Sequence, residues 1–584
     1  MFQIRENEPD YALLKDPCSQ AQNRYGTPIE TVPTNHALRA QEFVINSEAC
    51  QQQNPNRYKQ HGFFFTADNC IACHACEAAC SEKNDNPAHI AFRSVGFVEG
   101  GVYPNMQRLN ISMACNHCDN PVCLKGCPTR AYTKFAEYGA VLQDPDICFG
   151  CGYCTWVCPY NAPQLDPIKG QVSKCNMCVD RLEVGLKPAC VSACLGKALD
   201  FGVIENIPEG RTQAKTEIPG FPTPEITHPN IRFQQTRSTQ RDMARLDSTP
   251  LKYHKNDEGQ FKPTLDPKHG FAQQWNLKKL LTSHENAHIA FTLSVQTVMG
   301  AFVMALATGL DTLPSLIVML ALASFGLFKL NMHLGKPLRF YRGFNNWRLS
   351  PVSREIAGVS LFFGGLAGYT FLALFPAFPF AARLQPAAAV AALIGLSFGG
   401  YYMIKLYRIP ARPFWDHWQT GASFIGTGLG LGGVLLSVLT EVQGLMTAEL
   451  AQTLGRVIAA GLALEGIGLM AHARDMKARG NEGMASHYEQ TTTYGQAYRL
   501  RNGLLGVSLL LASTLAATGV SLLLAPLTLT ALAAAILGRA LFYVLVIPTT
   551  LPGAFFWRNK GFVEHARESG LANMPQLGVV PDHH

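Results

Sequence analysis

Sixteen cysteines lie between Cys70 and Cys194, and their spacing states the chemistry they are suited to. They fall into four groups. The first is Cys70, Cys73, Cys76 and Cys80, and the second is Cys115, Cys118, Cys123 and Cys127. The third is Cys148, Cys151, Cys154 and Cys158, and the fourth is Cys175, Cys178, Cys190 and Cys194. Groups one and three read C-x2-C-x2-C-x3-C, the spacing with which bacterial ferredoxins hold cubane iron–sulfur clusters. Three close cysteines wrap three corners of a cubane, and the fourth, often before Pro as at Cys127 and Cys158, reaches the other cluster of a pair. Sixteen thiolates at four per cluster make four [4Fe–4S] clusters. A disulfide scaffold suits a short secreted chain, and this one is long. Zinc ribbons pair C-x2-C knuckles but leave the third cysteine and the trailing x3-C unexplained.

These residues need two kinds of scaffold around them. All eighteen cysteines of the 584-residue chain precede residue 195, while long apolar stretches occur only after residue 286. The mean hydropathy of +0.05 therefore averages a polar half and a membrane half. The net charge of +7 comes mostly from loops beside apolar segments. It reads as a topology signal and not as a nucleic-acid surface.

Residues 1–60 form a polar N-terminal extension. Its start, MFQIRENEPD, has no basic region followed by an apolar stretch, so no export signal is expected. Cys18 and Cys50 stand outside any ligand spacing and read as free thiols. Residues 61–235 form the cluster domain, with strands expected at Gly62–Thr66 and Ala140–Gln143. Phe149, Tyr153, Trp156 and Tyr160 beside the cysteine loops read as packing that excludes water and not as electron relays. Residues 236–286, rich in polar residues and Pro, read as a linker.

Eight spans are expected in 287–555, at about 288–310, 315–335, 356–376, 387–407, 420–441, 453–473, 503–525 and 530–552. A tail, 556–584, follows. A soluble helix bundle would have to hide all of these nearly uncharged segments. The fold class is therefore an α+β, ferredoxin-like, multi-cluster iron–sulfur domain followed by an all-α bundle of eight transmembrane helices.

An even number of spans puts both termini on one face, and connections on that face carry sixteen Lys and Arg residues against two, Arg383 and Arg456, on the other. The positive-inside rule then puts the clusters and both termini in the cytoplasm, on an inner-membrane protein. Cluster assembly in the cytoplasm agrees with this.

The stretches MACNHCDNPVCLKGCPTRA, ICFGCGYCTWVCPYNAPQ and KCNMCVDRLEVGLKPACVSACLGKALDFG resemble the iron–sulfur subunit of bacterial DMSO reductase and related molybdopterin oxidoreductases. The resemblance covers about residues 61–235. It implies that Cys70, Cys73 and Cys76 join Cys194 on one cluster, and that Cys175, Cys178 and Cys190 join Cys80 on a second. It implies that Cys115, Cys118 and Cys123 join Cys158 on a third, and that Cys148, Cys151 and Cys154 join Cys127 on the fourth. Some relatives carry Trp in place of one group-three cysteine and hold a [3Fe–4S] centre. Cys151 is present here, so four cubanes are expected. Leu195 stands where several relatives have Pro.

The second half is similar to the membrane-anchor family of the same enzymes, in HLGKPLRFYRGFNNWRLSPVSREI and LGRALFY. Two subunits that are commonly separate are thus expected to be fused. In the anchor family a His placed like His333 is tied to menaquinol binding, so His333 is the expected quinone residue. Capping the helix or facing headgroups is its simpler role. Lys329, one turn earlier, is a weaker candidate that would snorkel to the interface. Glu465 and Arg539 lie mid-span, where charges are paired or functional. An ion pair between them is the simpler reading, and a proton path or quinone pocket the sharper one.

The resemblance implies an electron-transfer and anchor subunit with no catalysis of its own. Its cofactors would be four [4Fe–4S] clusters and menaquinone or ubiquinone. A molybdenum bis-pterin cofactor would sit on a separate catalytic subunit, since the remaining sequence has no room for a pterin domain. Lipid and quinone are further partners, and nucleic acid is not one. The cytoplasmic orientation favours sulfite oxidation with quinone reduction over quinol-dependent reduction of DMSO or another S- or N-oxide. A redox-driven ion pump would show chains of polar residues through its spans, and few are visible. A plain anchor without a quinone site is the remaining alternative.

Overall fold

The structure, a computed structural model, describes residues 4–14, 20–40, 44–45, 48–49, 56–87, 90–208, 211, 214–234, 239–245, 250–266, 270–281, 285–478 and 480–546. Cys18, Cys50 and the tail 556–584 lie outside the described residues. The chain divides into two units, Met1–Asp266 with Pro548–His584, and Pro267–Ile547.

The first unit is mixed α/β. The strand His61–Thr66 pairs antiparallel with Leu199–Val203 and parallel with Ile231–Gln234. Its run His-Gly-Phe-Phe-Phe-Thr is buried on both faces. Phe63 meets Phe201 edge-on at 5.1 Å, and Phe65 meets Phe233 at 6.2 Å. The sheet thus ties the first cysteine group to the segment that follows the fourth. The expected strand near Ala140 is Val141–Gln143, in a hairpin with Tyr132–Lys134.

The expectation of a linker at 236–286 meets a different structure. Asp242–Arg245, Leu251–Lys255 and Phe261–Leu265 extend the hairpin of Arg93–Gly100 and Gln107–Ala114 into a five-stranded antiparallel sheet. These strands are short and carry polar side chains on one face, so they lack a sustained apolar pattern. The alternation of buried Leu251 and Tyr253 with half-buried Lys252, His254 and Lys255 is their signal. The described part of the N-terminal extension packs on its own unit. Leu13 bridges Leu186, and Arg24 pairs with Glu205, which also binds Arg232.

Among the described residues, the second unit holds eight helices long and apolar enough to cross a membrane. They are Asn286–Thr308, Leu313–His333, Pro351–Leu374, Ala381–Lys405, Gln419–Val442, Ala448–Ala478, Gly495–Thr518 and Ser521–Val544, hereafter the first to eighth spans. Small residues set their approach. A Cβ on Gly300 of the first span would meet the Gly428 carbonyl oxygen of the fifth at 1.8 Å. Backbone cannot yield there as a side-chain tip can. Gly300→Val is expected to cost about 3 kcal/mol, the upper end for overpacking. In detergent it will melt well below wild type, whereas Gly364→Ala, with nothing within 4 Å of the added atom, will melt with it.

Candidate functional site

Each cysteine group is carried by a loop that turns into a short helix. Ala75–Lys83 carries Cys76 and Cys80, Val122–Gly126 carries Cys123, Tyr153–Val157 carries Cys154, and Ala189–Ser192 carries Cys190. The loops share one backbone turn. The second residue after each leading cysteine has a left-handed φ: Ala72 at 53°, His117 at 43°, Gly150 at 76° and Met177 at 62°. Only one of the four is Gly, so the other three hold a conformation that L-residues rarely adopt. The reason is visible at two of them. The Gly150 N–H donates to Cys148 Sγ and the Met177 N–H to Cys175 Sγ, both at 3.4 Å. The turn folds backbone donors back over sulfur.

The four quartets expected from the resemblance come together. Cys70, Cys73, Cys76 and Cys194 line one hollow, and Cys115, Cys118, Cys123 and Cys158 line another. The thiol of Cys80 is surrounded by those of Cys175, Cys178 and Cys190. Cys154 is surrounded by Cys127, Cys148 and Cys151. Burial pushes the Cys76 and Cys178 thiols up to about 11 and Cys175 to about 12, and drives Cys118, Cys123, Cys151 and Cys154 upward too. Bare thiolates are unstable in such places, and iron is what makes a quartet of them sustainable. The donor set fits a cubane: four sulfurs, apolar walls and N–H groups turned on sulfur. Leu199 N–H on Cys194 Sγ at 3.4 Å adds a third such donor.

Sequence reasoning missed what lies between the quartets. Arg93 is 2% exposed, and its guanidinium faces Cys76 of the first quartet and Cys80, Cys175 and Cys190 of the second. Lys174, 5% exposed, faces Cys175 of the second quartet and Cys115 and Cys123 of the third. Tyr132 faces Cys123 of the third quartet and Cys127 and Cys154 of the fourth. The quartets therefore form a row, first to fourth, with a cation at each of the first two junctions and a phenol at the last. A lone Lys before a cysteine motif, or an Arg opening a strand, carries no signal of this in sequence.

The aromatics beside the loops pack as expected. Tyr160 hydrogen-bonds Thr227 at 2.8 Å and stacks on Phe221 at 5.4 Å, and Tyr153 meets Trp156 edge-on at 6.1 Å.

In the second unit His333 ends the second span half-buried, and its ring meets that of His288 at 4.5 Å, 75° apart. His288, one turn into the first span, has Nδ1 2.8 Å from a Glu285 carboxylate oxygen. Tyr543 lies 5.7 Å from His288, and its hydroxyl is 2.7 Å from that of Tyr407. Glu355, a buried carboxyl near the start of the third span, faces Tyr407 as well. His333 was visible in the sequence, but His288, Glu285, Tyr543 and Glu355 were not singled out. An Asn-Ala-His opening to an apolar span was the available signal. Lys329 is exposed and takes no part in this group.

Glu465 and Arg539 are both buried, yet among the described residues no ion pair joins them. Arg539 instead donates to Gln296 Oε1 at 2.8 Å and Thr427 Oγ1 at 3.1 Å, and lies over the Phe424 ring at 4.1 Å. Two neutral acceptors and a ring face hold the guanidinium, and the Glu465 carboxylate faces it without a direct contact. Glu465 faces both Arg539 and Arg501 of the seventh span, and lines a small cavity with Thr427 and Arg501.

Comparison with known proteins follows this division. Residues 106–204 match the family model of the 4Fe-4S dicluster domain, and residues 281–545 that of the DMSO reductase anchor subunit. Over 184 residues the protein is 39% identical to a component of the anaerobic dimethyl sulfoxide reductase of Haemophilus influenzae, covering 30% of this chain and 88% of the relative. The like-named component of the Escherichia coli K12 enzyme is 38% identical over 180 residues, 30% of this chain and 87% of the relative. A component of the sulfite dehydrogenase of Allochromatium vinosum is 36% identical over 158 residues, 24% of this chain and 66% of the relative.

Proposed function

The chain belongs to the family of the DMSO reductase iron–sulfur subunits, joined here to that enzyme's membrane anchor, and on that premise we propose that it carries electrons between a membrane quinone and a separate molybdopterin catalytic subunit. The observation that carries this reading is the row of four cysteine quartets. Cys70, Cys73, Cys76 and Cys194 would hold the first [4Fe–4S] cluster, and Cys80, Cys175, Cys178 and Cys190 the second. Cys115, Cys118, Cys123 and Cys158 would hold the third, and Cys127, Cys148, Cys151 and Cys154 the fourth. A bound cubane supplies reversible storage of one electron. The surrounding residues keep water out, turn N–H groups on sulfur, and place Arg93 and Lys174 where negative charge accumulates.

Quinone chemistry moves two protons with two electrons, so a quinone site needs a proton-exchanging group at its edge. His333 is that group, and His288 with Glu285 behind it relays the proton to the aqueous face. Tyr543 and Tyr407 shape the wall beside them. Glu465 and Arg539 belong to the bundle's internal polar contacts, farther along the spans. The loop charge supports a cytoplasmic iron–sulfur unit with both termini on that side. A C-terminal reporter active only in the periplasm would overturn it.

A cytoplasmic orientation favours sulfite oxidation to sulfate, with electrons entering the quinone pool. The higher identity and coverage of the DMSO reductase relatives support the reverse direction, from quinol to an S-oxide. The complex purified with its catalytic subunit decides between them. Quinone reduction that depends on sulfite is the expected result. Quinol oxidation that depends on DMSO, without sulfite activity, would establish the second direction.

A further inference from the structure

We propose that Glu285, His288 and His333 form a binding site for a divalent first-row transition metal, with Zn2+ the ion best suited to it. One ligand atom from each of the three, two imidazole nitrogens and a carboxylate oxygen, lie within 4.8 Å of one another. The arrangement follows from the helices. Glu285 and His288 are three residues apart, on one face where the first span begins. His333 closes the second span, which packs against the first and ends beside that beginning. His288 is 9% exposed, and the other two are half-buried, so the group opens on one side.

Imidazoles with one carboxylate select Zn2+, Cu2+ or Ni2+ over Mg2+ and Ca2+, which take oxygen. Zinc holds such ligands at roughly 2.0–2.2 Å, which places neighbouring donors about 3.4 Å apart. The Glu285–His288 pair, at 2.8 Å, opens slightly to reach that spacing, and the ligand atom of His333, within 4.8 Å of both, closes on them. Three protein ligands leave the fourth position to water, so the ion binds exchangeably and not as a structural staple. An ion there would also fix the ring of His333 and occupy the nitrogen through which it exchanges protons. Inhibition of quinone-linked turnover by Zn2+ is the consequence, and that consequence alone rests on the quinone reading.

The test uses the purified full-length complex with Zn2+ in calorimetry and Cu2+ in electron paramagnetic resonance. Wild type is expected to bind one Zn2+ in the second unit, and bound Cu2+ to show nitrogen hyperfine coupling from imidazole. His288→Gln and Glu285→Gln are each expected to weaken Zn2+ at least tenfold. His254→Gln, at an exposed His–Asp pair in the first unit, will leave it unchanged. Equal Zn2+ affinity in wild type and both variants overturns the site. So does Cu2+ bound without nitrogen coupling, a readout that needs no variant to fold. If binding holds and turnover ignores Zn2+, the metal site stands and the placement of the quinone at His333 fails.

Discussion

Arg93→Leu is expected to lower the midpoint potentials of the first and second clusters by on the order of 100 mV and to leave the fourth where it was. The guanidinium is buried, lies over the Phe63 ring at 4.6 Å and donates to Ser112 Oγ at 3.1 Å. That hydroxyl is itself 3.4 Å from Cys76 Sγ, so the cation also acts through a polarised hydrogen bond. At an effective dielectric of about 20, a unit charge 7–8 Å away is worth about 2 kcal/mol. For one electron that is on the order of 100 mV. The sign follows from charge: reduction adds an electron, a nearby cation favours the reduced form, and its removal makes reduction harder. Arg93→Lys keeps the charge and is expected to keep most of the potential. Lys174→Met is expected to shift the second and third clusters and spare the first, which reads out the order of the row. Redox titration followed by electron paramagnetic resonance checks all three. Unchanged potentials in an Arg93→Leu protein that still holds four clusters would sink the idea.

His333→Ala is expected to cut quinone-linked turnover at least about 100-fold, the scale of general acid–base catalysis. Electron exchange between the catalytic subunit and a one-electron dye, which reacts with clusters directly, is expected to persist. The split matters because a merely misfolded bundle would depress both. His333→Gln keeps a hydrogen-bonding group without proton exchange near neutrality, and is expected to retain quinone binding while losing rate. Quinone-linked turnover at the wild-type level in His333→Ala would remove the residue from the site.

What sequence made legible depended on how local the governing physics was. Cluster ligation needs sulfur at fixed short intervals, so the four groups announce themselves, and spans need about twenty apolar residues in a row. The grouping of Cys80 with Cys175, or Cys127 with Cys148, has no local signature. It came from family resemblance, and the structure brings the same thiols together. The strands at 242–265 escaped because an edge-rich antiparallel sheet asks only for brief alternation, which Leu251–Lys255 supplies in five residues. Arg93 and Lys174 escaped because a buried cation is defined by what surrounds it. Arg539 shows the limit of pairing charges by type. Its partners are an amide, a hydroxyl and a ring, and no count of opposite charges would have chosen them.

The presence of both units in one polypeptide has a consequence for biogenesis. Where the two are made as separate subunits, each must find the other, and the ratio depends on two translation rates. Here stoichiometry is set at one to one by the genetic message, and the tether replaces a bimolecular encounter with an effective concentration on the order of millimolar. Proteolytic quality control then sees no orphan anchor and no orphan ferredoxin. A defect in either half then affects both, and recruitment of the catalytic subunit proposed above is left to mass action.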